Sequence, residues 1–201
     1  MMKMLPSPGM IKAAMRHKGY VVFGNEAKGY DLNLFGIRTN DDHSNKFNDI
    51  VGVMYLAQGQ WNHFMFPATT DPGIYWRENP MNVDGTAILV PGQYRGAYKV
   101  GTHKGYPALQ QKKPLKVYRD GDKDEILDMD PSTIKEGMYG INIHRANAKQ
   151  ASSEVNKWSA GCQVLADPFQ FEFLMALCEK AKSLFGNSFT YTLLEESDFS
   201  A

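Results

Sequence analysis

Between residues 20 and 145 the chain is a succession of short apolar runs separated by turn residues, and no helical pattern falls between them. Strands that follow one another directly can pair antiparallel through tight connections, whereas a parallel α/β sheet needs a helix in each crossover. Expected strands cover 20–23, 32–37, 50–56, 61–66, 87–90, 94–100, 115–118 and 138–144. Gln58-Gly59-Gln60, Asp71-Pro72-Gly73, Pro91-Gly92 and Asp120-Gly121-Asp122 punctuate them.

Helices are expected only at the two ends. Ser7 can cap a short first helix with Pro8 in its first turn, and Ile11, Ala14 and Met15 share one side before Gly19 stops it. Asp167-Pro168 opens a longer one, along which Phe171, Leu174, Met175, Cys178, Ala181, Leu184 and Phe185 recur at helical spacing until Gly186. A closing strand alternates over 189–194. The expected fold is therefore mostly β with one substantial C-terminal helix, an α+β domain with an antiparallel sandwich-like or barrel-like body. At 201 residues the chain suits one domain, 1–201, and is short for two.

Lys+Arg and Asp+Glu balance at 22 each, so no net field draws the protein to nucleic acid or an anionic membrane. The basic run 110–116 is offset by the acidic run 120–130, which reads as a pair of solvated loops. No segment approaches the roughly twenty apolar residues of a membrane span. Lys3, Pro6, Pro8, Lys12, Arg16 and Lys18 break up any apolar stretch of signal-peptide length, so synthesis in the cytoplasm without a cleaved signal is expected.

The two cysteines call for separate accounts. Cys178 lies on the apolar stripe of the long helix, where a small buried thiol is the default. Cys162 lies in Trp158-Ser-Ala-Gly-Cys162, a turn in which Gly161 lets backbone N–H groups approach a substrate oxygen. In Gly140-Ile-Asn-Ile-His144, alternation puts Asn142 and His144 on one face, and a loop over 146–157 can bring the cysteine back to that histidine. An imidazole beside a thiol can take its proton, and the thiolate can attack an amide carbonyl while the Gly161 and Cys162 N–H groups hold the oxyanion. Asn142, or a backbone carbonyl, could hold the imidazole. The same residues also suit a hydrogen-bonded strand histidine and a packed free thiol. A zinc site joining Cys162 to His63, His103 or His144 lacks short ligand spacing, so neither a metal nor a cofactor is expected.

The order histidine, loop, Ser-x-Gly-Cys, helix, closing strand resembles the L,D-transpeptidase (YkuD-type) catalytic domain over residues 86–194, with 1–85 as additional N-terminal β-structure. The interval of 18 from His144 to Cys162 and the match of Ser159, Gly161 and Cys162 to that family's box carry the resemblance. It implies that Cys162 is acylated, that His144 is its base, and that the Arg145 backbone carbonyl orients the base. The box histidine is replaced by Ala160, and Val164 stands where a basic or amide residue is usual. Ser159, Trp158, His103 and Tyr106 are the expected substrate contacts, the last two in a flexible loop over 101–106. Thr69-Thr70-Asp71-Pro72-Gly73 reads as a capped turn, and Asp41-Asp42-His43 as solvent-facing.

The resemblance implies peptidoglycan stem peptides as the partner and cleavage or exchange of their amide bonds through a Cys162 thioester. Without a signal, a phage-type wall hydrolase fits best, as an endolysin or a virion-borne enzyme. The alternatives are a transpeptidase proper, a non-catalytic wall-binding or virion module, and an unrelated cysteine protease.

Overall fold

A computed structural model describes residues 5–43 and 45–199; residues 1–4 of the N-terminal stretch discussed above lie outside them. Helix α1 (Pro8–His17) is followed by strands β1 (Asn33–Arg38), β2 (Asp49–Ala57) and β3 (Gln60–Thr69) and the short helix α2 (Ile74–Glu78). Next come β4 (Thr86–Leu89), β5 (Gly92–His103), β6 (Tyr106–Gln111), β7 (Leu115–Asp120), β8 (Lys135–Gly137), β9 (Ile143–Arg145) and β10 (Gln163–Leu165). The long helix α3 (Pro168–Phe185) and strand β11 (Phe189–Glu195) complete the fold.

The α+β class is as expected, and the body is a closed barrel in the order β1-β11-β5-β6-β9-β10-β3-β2 beside a three-stranded sheet β4-β7-β8. The barrel is not wholly antiparallel: β1 runs parallel to β11, and β9 parallel to β10. Residues 1–85 contribute β1, β2 and β3 to the barrel wall, so they are integral to it rather than appended.

Continuous burial of β1 follows from cover on both faces. On one side Phe35 and Ile37 join Ile50, Met54 and Leu194 under Ile11, Ala14 and Met15 of α1. That helix starts as its sequence requires, the Ser7 hydroxyl accepting from the Met10 N–H at 3.3 Å. On the other side Leu34 belongs to the main core, which also takes in Leu89 and Val117 of the small sheet and Phe171, Leu174, Cys178 and Ala181 of α3. Asp167 caps α3 through the Phe169 N–H at 2.8 Å, and Gly186 ends it at φ +86°. No described helix is long and apolar enough to cross a membrane.

Two expected strands are irregular because side-chain amides do the work of a neighbouring strand. At 20–23 the N–H and C=O of Val21 are met by the Gln93 amide, and those of Phe23 by Asn33. Over 138–144 only the end is strand. The Gln111 side chain accepts from the Tyr139 and Ile141 N–H groups and donates to the Gly137 carbonyl. The supposed flexible loop at 101–106 is the tip of the β5–β6 hairpin, in which Lys104 and Gly105 form a two-residue turn with φ of +47° and +87°.

Candidate functional site

The parallel pairing of β9 with β10 sets Val164 opposite His144 and Gln163 opposite Ile143, so the Gly161–Cys162 turn arrives level with Asn142. There the Cys162 sulfur accepts from the Asn142 N–H at 3.5 Å and donates to the Gly140 carbonyl at 3.4 Å. Gly161 sits at φ +114°, closed to L side chains, and a methyl group on it would press into the Ala87 carbonyl of β4. The small sheet thus backs the turn that presents the thiol.

His144 is buried at 3% exposure. Its Nδ1 lies 2.8 Å from the Arg145 carbonyl. Because a carbonyl only accepts, Nδ1 carries the proton and Nε2 keeps its lone pair. The Tyr106 hydroxyl joins the same cluster, 3.1 Å from Nδ1 and 3.2 Å from the Arg145 carbonyl. The Arg145 guanidinium lies 4.2 Å from the centre of the Tyr106 ring. His103 stacks on His144 with centroids 4.1 Å apart and planes 9° from parallel. Asn142 does not hold His144. Its amide group lies 3.1 Å from His103 Nδ1, and its carbonyl oxygen accepts from the Gln111 N–H.

No family model, curated protein or solved structure matches the chain.

The local fields keep both groups neutral. Burial, then the neighbouring His103 and Lys104, depress the His144 pKa to about 3, while the Arg145 carbonyl pulls it the other way. Burial pushes the Cys162 thiol up to about 11, against the pull of the Asn142 N–H and Lys104. A preformed thiolate–imidazolium pair is disfavoured on both sides.

Two expected roles do not fit the geometry. Ser159 is wholly buried, with its hydroxyl donating to the Cys162 carbonyl at 2.8 Å and accepting from the Gly161 N–H at 3.1 Å. It braces the turn from behind and cannot contact substrate. For the same reason the Gly161 N–H is already engaged and does not point to an oxyanion. Trp158 is 41% exposed at the surface, and Cys178 is fully buried on α3.

The chain also holds a support that residue spacing did not reveal. Gln163, directly after the thiol, is wholly buried; it donates to the Thr70 carbonyl and accepts from the Tyr191 hydroxyl at 2.9 Å. Thr70 is fixed in turn by the Asp49 carboxylate, which also takes the Thr39 N–H and hydroxyl, and Arg38 pairs with Asp71 at 2.7 Å. The 69–73 turn is therefore a buried anchor behind β10. The exposed Asp42–His43 pair is solvent-facing, as expected. A cleft of 360 Å³ at the end of α3, lined by Phe23, Arg95, Phe185 and Ser188, includes neither Cys162 nor His144.

Proposed function

We propose that this chain is a peptidoglycan-acting cysteine enzyme that cleaves or exchanges stem-peptide amide bonds through a thioester on Cys162. In this reading it works as a phage-type wall hydrolase, an endolysin or virion-borne enzyme, with a cross-linking transpeptidase as the nearest alternative. The observation that carries it is the histidine. His144 stands on the strand beside the thiol, its Nδ1–H tied to the Arg145 carbonyl and its Nε2 left with a lone pair.

In that chemistry the thiol proton passes to His144 Nε2 as the sulfur attacks the amide carbonyl carbon. The C–S bond forms, the C–N bond breaks, and Nε2 returns the proton to the departing amine. Water then releases the acid and regenerates the thiol; an amine acceptor would give exchange instead. With Gly161 engaged by Ser159, the Cys162 N–H is the turn's donor for the oxyanion. The neutral resting pair means that the sulfur ionises only as it attacks.

A non-catalytic wall-binding module is the second reading, favoured by the thiol's engagement with the Gly140 carbonyl and its raised pKa. Digestion of purified muropeptides followed by mass spectrometry separates the two. Cleaved or exchanged stem peptides, absent with Cys162→Ser, support the enzyme. Retention on peptidoglycan with no product from either protein supports the module. Labelling of Cys162 by a carbapenem is expected of the enzyme alone, and neither of a structural thiol in the module nor of an unrelated cysteine protease.

A further inference from the structure

The acidic run 120–130, which reads from the sequence as a solvated loop, begins with a residue that is not solvated at all. Asp120 ends β7 with no exposure, and among the described residues no donor reaches either carboxylate oxygen in full hydrogen-bond geometry; the Asp128 N–H pulls on it only weakly against its burial. A buried carboxylate with no well-formed hydrogen bond is costly, so its neighbourhood shows what it is kept for.

Those neighbours are more carboxylates. Oxygens of Asp120, Asp122 and Asp128 all lie within 4.8 Å of one another. The other acids of the run have local work: Asp124 accepts from the Ile126 N–H at 2.6 Å, and Asp130 from the Ser132 N–H at 2.8 Å. Lys123, at φ +68°, folds the loop back on itself between the first two ligands and the third. The loop is also tied down from outside, Leu127 N–H donating to the Asp42 carbonyl at 2.9 Å and the buried Arg77 guanidinium to the Glu125 carbonyl. Arg77 brings one positive charge to the area, against three converging negative ones.

We propose that Asp120, Asp122 and Asp128 form a calcium site that locks the β7–β8 connection. Oxygens bound to calcium at about 2.4 Å lie no more than about 4.8 Å apart, and the three carboxylates keep within that limit. The donors are all hard oxygens, without the imidazole or thiolate that would select zinc. Asp120 supplies the buried, immobile ligand. Asp122 and Asp128 are exposed and leave room for the waters and carbonyls that complete a calcium shell. The three carboxylates share no residue with the Cys162 cluster, and the proposal does not depend on what that cluster does.

The test is calcium chloride added to the full chain after chelation, read by calorimetric titration and thermal unfolding. A loop site of this kind binds with a Kd of about 10⁻⁴ M, so about 10 mM calcium should raise Tm by roughly 5–10 °C. Magnesium chloride at the same ionic strength should raise it by less than half as much. The double variant Asp122→Asn with Asp128→Asn changes only exposed residues, so it should fold. It should lose the calcium response and melt, metal-free, no lower than the unaltered chain. The proposal is overturned by an unaltered chain that gives neither binding heat nor a shift in Tm. It is equally overturned if magnesium acts as strongly as calcium, or if the double variant responds in full.

Discussion

Replacing Gly161 by alanine is the sharpest structural probe of the turn that presents Cys162. The backbone there has φ +114°, a region that costs an L residue about 1–3 kcal/mol. The new methyl would also press into the Ala87 carbonyl and come within 3.1 Å of the Ile141 side chain. The carbonyl belongs to β4 and cannot rotate away, so overpacking adds about 1–3 kcal/mol. Together these amount to about 4 kcal/mol, or a fall in Tm of roughly 8–16 °C for a domain of this size. Gly105→Ala is the control: φ is also positive, at +87°, but nothing lies within 4 Å of the added methyl. It should cost only about 1 kcal/mol. Thermal unfolding by circular dichroism measures both, and iodoacetamide labelling reports whether the Cys162 sulfur has moved. If Gly161→Ala melts within about 2 °C of the unaltered chain and labels at the same rate, the turn is not held as described.

Cys178→Ala should cost on the order of 1 kcal/mol, a small truncation in the core, and leave muropeptide turnover intact; a folded but inactive variant would point to the wrong thiol. Cys162→Ser should abolish turnover at every pH with Tm unchanged. His144→Ala should lower the rate at neutral pH by at least ~10²-fold and regain activity as pH rises toward the thiol's value of about 11. Removing the Tyr106 hydroxyl with Tyr106→Phe should slow turnover by about tenfold without unfolding the barrel, the worth of about one hydrogen bond on the base. Because the His144 pKa is about 3 folded and about 6.5 unfolded, the unfolded chain binds the extra proton between those values. Its contribution to stability is therefore complete above about 6.5 and is lost as pH falls toward 3, so His144→Gln should flatten the acid side of a Tm-against-pH curve.

Both terminal helices were legible because their signals are local. Ser7-Pro8 and Asp167-Pro168 start them, and apolar residues at helical spacing bury them. The closing of the barrel was not, since β1 meets β11 across nearly the whole chain and no local pattern encodes that pairing. Strands β9 and β10, three residues each, are too short to show a period. Their surroundings are organised by Gln111, Asn142 and Gln163, whose amides bond to the backbone in ways that alternation does not report. At the candidate site, the motif order legible in the sequence sets β9 beside β10, with the Cys162 sulfur on the Asn142 N–H and the Arg145 carbonyl on the His144 ring. Ser159 was assigned to the wrong side of the turn because spacing along the chain says nothing of burial. Asp120 was misread for the same reason: a charged run looks solvated until the strand that carries its first residue is seen to end inside the fold.

The central claim is that Cys162 becomes acylated, and mass spectrometry of the protein itself tests it most directly. The chain is incubated with muropeptides, quenched in acid and digested. The account predicts a stem-peptide acyl adduct on the fragment containing Cys162, none on that containing Cys178, and no adduct at all with Cys162→Ser. An adduct confined to Cys178, or muropeptide cleavage that persists in Cys162→Ser, would contradict it.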